Sequence, residues 1–289
     1  MAAWAPKEKS MKRLSSSALV ALVVGSSALA QSEVTLVAPG GARAALEQLI
    51  PAFEKKSGYK VKATFGSGLG TKQQVARGEP FDVPIVQPPY PEVLASGNVV
   101  KDSAKTLASV AVGVAVRQGA SKPDISTADA VKRMLVGAQS ISYPDPAGGA
   151  AAGVSFEETL KKLGLADQLH AKLKRARGGA AAMAMVAKGE AEIGLTFVSE
   201  MNEPGIDVVG ALPREISTPT TLVGFLSSHA KDPASAKALL EYFSSPEAAA
   251  AYKAQRMQPG DRPRATERLE ISCKYRRFDD IPGRGLFCH

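Results

Sequence analysis

VTLVAPGGARAALEQLIPAFEKKSGYKVKATFGSG, residues 34–68, sets out a strand, a helix and a second strand in one short stretch. Val34 to Ala38 is a brief apolar run of β character, closed by Pro39-Gly40-Gly41. Ala45, Leu46, Leu49, Ile50 and Phe53 then recur at helical spacing. Pro51 is expected to bend that helix and Gly58 to end it. Tyr59 to Phe65 reads as the next strand, Gly66 to Gly70 as a glycine-rich turn and Thr71 to Arg77 as a helix, with a third strand at Asp82 to Val86. Short strands separated by helices require crossover connections, and crossovers join parallel strands.

Further along, Thr106 to Val116 (TLASVAVGVAV) is a long apolar β-type run that reads as a crossing into a second lobe. That lobe has its own alternation. Helices are predicted near Ser126–Leu135, Phe156–Leu163 and Ala180–Lys188, and strands at Ile141–Tyr143, Glu192–Phe197 and Asp207–Val209. Thr221 to Leu226 reads as the return strand. Two helices then open on a cap followed by proline, Asp232-Pro233 and Ser245-Pro246. The fold class is therefore α/β with two lobes, each a mostly parallel sheet flanked by helices, and a ligand cleft between them. The expected division is 31–111 for the first lobe, 112–221 for the second and 222–260 for the return, followed by an irregular tail over 261–289.

The N-terminus carries the three parts of an export signal. Met11-Lys12-Arg13 is basic, Ser17 to Val24 is a short apolar core, and Ala28-Leu29-Ala30 is a small-x-small cleavage site before Gln31. The apolar core is shorter than the roughly 20 residues that span a bilayer. No cysteine follows the cleavage site, so residues 1–30 are expected to release a free periplasmic protein.

The formal net charge of +8 divides unevenly along the chain. Residues 1–30 hold four Lys/Arg against one acid (+3), residues 31–260 hold 25 against 22 (+3), and residues 261–289 hold seven against five (+2). The body is nearly balanced and has no basic block with interleaved aromatics, which argues against nucleic acid as a partner. The two cysteines, Cys273 and Cys288, lie in the tail, and His170, His229 and His289 are scattered. No zinc spacing arises, and neither metal nor cofactor is expected.

Six motifs then occur in one order. Leu36-Val37-Ala38 runs into Ala44-Ala45-Leu46-Glu47, followed by Phe65-Gly66-Ser67-Gly68 and by Arg77-Gly78-Glu79-Pro80-Phe81-Asp82-Val83. Next come Asp145-Pro146 with Ala152-Gly153, then Gly189-Glu190-Ala191-Glu192-Ile193-Gly194, and finally Ser245-Pro246-Glu247-Ala248. Over Val34 to Gly260 this order resembles the periplasmic molybdate-binding proteins and their relatives among type II solute-binding proteins. The resemblance implies two lobes closing on an anion held by hydroxyls and by the N–H groups of helix N-termini, where the dipole favours negative charge. Carried over residue by residue, it places ligand contacts at Gly41, Ser67, Ala152, Gly179 and Phe197, with Gly40 and Gly68 beside them in the turns that open two of the helices. It also implies a monomer that delivers its ligand to the membrane permease of an ABC importer, with no catalysis. A periplasmic accessory or sensory protein of the same fold is the alternative.

Two positions depart from the pattern. The family usually carries serine where Gly41 stands and tyrosine where Phe197 stands, so two hydroxyl donors are missing. A basic cluster, Lys172, Lys174, Arg175 and Arg177, precedes Gly178-Gly179. It reads either as a solvated face or as a source of one guanidinium, Arg175 or Arg177, that pairs with a ligand carboxylate. The second reading would favour a small organic acid over molybdate. Gly66-Ser67-Gly68-Leu69-Gly70 lacks the last glycine of a dinucleotide fingerprint, Thr71 standing there. A hydrolase using Ser67 would need a histidine, and neither His170 nor His229 sits in a motif that supplies one.

Overall fold

The computed structural model describes residues 1–2 and 33–260. The motifs of the expected export signal, the tail over 261–289 and both cysteines lie outside the described residues. In chain order, strand β1 is Glu33–Pro39, helix α1 Arg43–Ser57, β2 Lys60–Gly66, α2 Gly68–Ala76, β3 Val83–Val86 and α3 Pro91–Ala95. They are followed by β4 Val99–Val110, β5 Val112–Arg117, α4 Ala128–Gly137, β6 Ile141–Pro144, α5 Ala151–Leu163 and α6 Ala166–Leu169. The chain continues through β7 Leu173–Ala176, α7 Gly179–Ala187, β8 Ile193–Phe197, β9 Ile206–Ala211 and β10 Thr220–Ser227. Helices α8 Pro233–Phe243 and α9 Pro246–Ala254 and the short strand β11 Gln258–Pro259 complete it.

The strands form two sheets. The first has the order β11-β4-β10-β3-β1-β2 and the second β7-β6-β8-β5-β9. In each sheet the strands joined through helices run parallel: β1 with β2 and β3, and β6 with β7 and β8. The strands that carry the chain between sheets, β4, β5, β9 and β10, pair antiparallel. Each sheet is therefore mixed rather than mostly parallel: three parallel strands form one side of it and antiparallel strands the other.

The run Thr106–Val116, predicted as one strand, is divided at Ala111. Val110 pairs with Thr220 in the first sheet, while Val112 pairs with Phe197 in the second. It reads as continuous because Leu107, Ala108 and Val110 before the break and Val112 to Val116 after it are all buried. Its first half also begins earlier than predicted, at Val99.

Helix α1 covers the first sheet with Ala45, Leu46, Leu49 and Phe53 buried. Pro51 sits inside it on the exposed side, where the missing N–H costs one helical hydrogen bond without breaking the helix. Gly58, at φ +78°, takes the left-handed cap and donates to the Glu54 carbonyl. The caps expected for α8 and α9 are formed: Asp232 accepts from Ala234 and Ser235, and Ser245 accepts from Ala248. Leu239, Leu240 and Phe243 are buried against the sheet, each worth roughly 1.5–3 kcal/mol of transfer free energy.

The basic segment 172–177, predicted as either a solvated face or a cleft lining, is largely an edge strand. Leu173–Ala176 pairs parallel with β6. Exposed Lys174 and Arg175 lie on it, the charged protection that an open sheet edge needs. Four residues offered too little periodicity to reveal it.

Candidate functional site

In both lobes the parallel strands deliver helix N-termini to a single crevice. β1 ends at Pro39, and a tight turn over Gly40–Ala42 starts α1. β2 ends at Gly66, and Ser67 caps α2. On the other side β6 leads through Asp145 and a turn at Pro146–Gly148 into α5, and β7 leads through Arg177-Gly178 into α7. Ligands in open α/β sheets bind at such C-terminal strand ends. Between these four openings lies a cavity of about 820 Å³ lined by residues of both lobes.

Gly40, Gly41, Ser67, Gly68, Ala152, Arg177, Gly179 and Phe197 all line this cavity. Ser67 Oγ accepts the Gly70 N–H at 3.0 Å, which caps α2 and leaves the hydroxyl hydrogen free to donate. Gly41 and Phe197 touch one another. A Cβ added at Gly41 would lie 2.9 Å from Phe197 Cδ2. The Gly41 carbonyl accepts the buried Ser199 hydroxyl at 2.8 Å, tying the first lobe's turn to the segment after β8.

The two candidate guanidinium groups separate. Arg175 Nε donates to Tyr143 Oη at 3.0 Å and its terminal nitrogen lies 3.3 Å from Glu157 Oε1. It does not line the cavity. Burial raises the Tyr143 hydroxyl above its usual range, and that hydroxyl donates to Glu157 Oε1 at 2.9 Å. Arg177 lines the cavity, is exposed, and makes no ion pair among the described residues. The other lining cation, Arg43, sits 4.7 Å above the Phe65 ring and 3.6 Å from Glu47.

Gln87 and Glu200 are among the lining residues that the sequence reading missed. Gln87, directly after the fully buried β3, is only 2% exposed, and neither its Oε1 nor its Nε2 has a hydrogen-bond partner. Glu200 follows the equally buried β8. Thr196 Oγ1 donates to its Oε2 at 2.5 Å, and a Cβ at Gly179 would lie 2.3 Å from the same oxygen. Burial pushes the Glu200 carboxyl above the usual carboxylate range, against the hydrogen bonds from Thr196 and the Phe197 N–H. For Gln87 the signal available was a single polar residue directly after a wholly apolar strand; Glu200, three residues beyond the end of β8, had no such mark.

The hydrolase arrangement is not assembled. His170 lies in an exposed turn, His229 Nε2 faces Asn98 Oδ1 at 3.1 Å, and neither lines the cavity. Among the described residues no cluster of His, Cys, Asp or Glu is placed to hold a metal. No described helix is long and apolar enough to cross a membrane.

Comparison with known proteins agrees with this geometry. The chain is 35% identical over 258 residues to an aconitate isomerase of a Pseudomonas species, covering 86% of this chain and 97% of that protein. It is 31% identical over 229 residues to the molybdate-binding protein ModA of Azotobacter vinelandii, covering 77% and 88% respectively. The solved periplasmic molybdate-binding protein of that organism shares the fold, with a TM-score of 0.66 at 23% identity over 79% of this chain and 100% of that one. The profile of the family described as bacterial extracellular solute-binding protein matches residues 34–257, nearly the whole folded body. Two sheets delivering four helix N-termini to one cavity, and a family match spanning both, make this chain a member of the bacterial extracellular solute-binding proteins.

Proposed function

We propose that the cleft binds a small organic polycarboxylate of the aconitate class in preference to a bare tetrahedral oxyanion. The observation that carries this reading is the pairing of Gly41 with Phe197. Glycine at 41 and phenylalanine at 197 leave this contact without either hydroxyl of the family pattern, so the wall here is apolar and the cavity loses two fixed partners for a tetrahedral anion. Each absent partner costs a buried oxyanion about 1–3 kcal/mol. Arg177 supplies a guanidinium suited to bidentate capture of a carboxylate. The volume of about 820 Å³ also lies in the range of roughly 300–1,000 Å³ usual for organic ligands. The relative named aconitate isomerase supports the same ligand class.

In this reading Gly40, Gly41, Ser67, Gly68, Ala152 and Gly179 offer donors, Phe197 the apolar wall and Arg177 the counter-charge. The lobes, 31–111 with 222–260 and 112–221, close on the ligand about their crossing strands. The protein acts in the periplasm as a monomer and delivers its ligand to a membrane permease. A second reading, isomerisation of the bound acid, is favoured by one specific observation, the enclosed carboxyl of Glu200 inside an anion site.

Thermal-shift measurement at equal ligand concentration tests the ligand class, since a ligand that binds the folded state raises the melting temperature. Aconitate and related tricarboxylates are expected to stabilise more than molybdate, tungstate or sulfate. The reverse ranking would overturn the reading.

A further inference from the structure

Glu200 has no evident part in holding an anion. Its carboxyl group lies among the very donors that would hold one. Oε2 occupies the space that a side chain at Gly179 would fill, and Oε1 lies 3.4 Å from a Cβ position at Gly40. Thr196 Oγ1 fixes its orientation, and no described cation pairs with it. Like charge repels like, so a cleft built only to retain a polyanion gains nothing from a carboxyl here.

We propose that Glu200 is the acid–base residue of a proton-transfer reaction in this cleft, moving a proton between two carbons of a bound unsaturated polycarboxylate. The inference rests on the polycarboxylate reading above. The substrate class follows from the chemistry. A methylene flanked by a carboxylate and a carbon–carbon double bond has an acidified C–H, because the resulting charge spreads over the allylic carbons and the attached carboxylates. In the step, Glu200 takes a methylene proton. The C–H bond breaks, an O–H bond forms, the released pair becomes the new double bond, and the former π pair moves to the third carbon. The carboxylic acid so formed returns the proton to that carbon. One C–H bond is lost and one gained, nothing is oxidised or reduced, and no co-reactant enters. The double bond shifts, and its geometry can change with it.

The surroundings suit both halves of the step. Burial raises the carboxyl above the ordinary carboxylate range, which makes its carboxylate form a stronger base towards a C–H proton. The openings of α1 and α7 lie on either side of it, at Gly40 and Gly179, and helix N-termini stabilise negative charge developing nearby.

The test is proton NMR of trans-aconitate with the full chain in deuterium oxide, alongside calorimetry on the same samples. The wild type is expected to exchange the methylene and vinyl positions and to interconvert the geometric isomers. Glu200→Gln is expected to keep affinity within about tenfold and to slow exchange by about 100-fold or more. Glu200→Asp, which keeps the acid but shortens it, is expected to retain measurable exchange. Binding of aconitate without exchange by the wild type, or undiminished exchange by Glu200→Gln, overturns the proposal and leaves the binding reading standing. Failure of aconitate, citrate and tricarballylate to bind at all overturns both.

Discussion

The ring of Phe197 lies against the α-carbon of Gly41, so close that a Cβ at position 41 would meet Cδ2 at 2.9 Å. The two residues belong to different lobes and are 156 positions apart, yet they form one unit of the cleft wall. The two hydroxyls that the family pattern would supply, a serine's and a tyrosine's, are thus both missing from a single contact of the cleft wall.

That contact predicts non-additive stability effects. Gly41→Ser should destabilise the protein by about 1–3 kcal/mol, because overpacking forces the ring or the turn to move. Phe197→Ala removes the obstacle at its own cost of about 3–5 kcal/mol. Denaturant unfolding of both single variants and the double variant should give a coupling energy above about 0.5 kcal/mol, the limit for independent sites. Additive losses would mean that the contact carries no energy.

Gln87 supplies a second prediction. Its buried amide lacks partners for both polar atoms, and an unmet buried polar group costs about 1–3 kcal/mol. Gln87→Leu should therefore leave the ligand-free protein as stable as the wild type or more so. The same variant should bind its ligand at least about tenfold more weakly, which corresponds to about 1.4 kcal/mol. A melting temperature and a binding titration on one preparation separate the two effects.

Burial of Glu200 makes stability depend on pH with a definite sign. Its carboxyl is held above the ordinary value of 4.5 in the folded state, so the folded protein binds that proton more tightly than the unfolded chain. Stability then falls as pH rises from the ordinary carboxylate range through the raised folded value. The other charged groups that line the same cavity are Arg43, Glu47, Asp145, Arg177 and Glu203. Glu200→Gln should melt at a higher temperature near neutral pH, by about 2–4 °C for each kcal/mol relieved. Near pH 4 the two proteins should melt alike. Parallel melting curves across that interval would show that the carboxyl is not strained.

Much of this architecture is legible in the sequence because burial imposes periods. The stretch 34–68 shows two strands and a helix since each hides one face or both. The turns at Gly40-Gly41, Gly66-Ser67 and Gly178-Gly179 show because helix openings there require small residues. What stayed hidden has physical reasons. The break at Ala111 lies between the apolar end of one strand, Leu107 to Val110, and the apolar start of the next, Val112 to Val116, so no change of pattern marks it. The edge strand Leu173–Ala176 is short and charged, and it reads as surface. Gln87 is a single polar residue after a strand and Glu200 closes the short turn after β8, and only the folded cavity shows that both line it beside the glycines.

Arg177 links the ligand class to one side chain, and calorimetric titration of the full chain with trans-aconitate and with molybdate is the most direct measurement. Aconitate is expected to bind at least about tenfold more tightly than molybdate. Arg177→Ala should weaken aconitate by about 10- to 100-fold, the loss of one charge-assisted pair. Arg175→Ala, which removes only an exposed group bonded to Tyr143 and Glu157, should change affinity by less than about threefold and stability by at most about 1 kcal/mol. Sub-micromolar molybdate binding, unchanged by Arg177→Ala and accompanied by no binding of aconitate, would contradict the account.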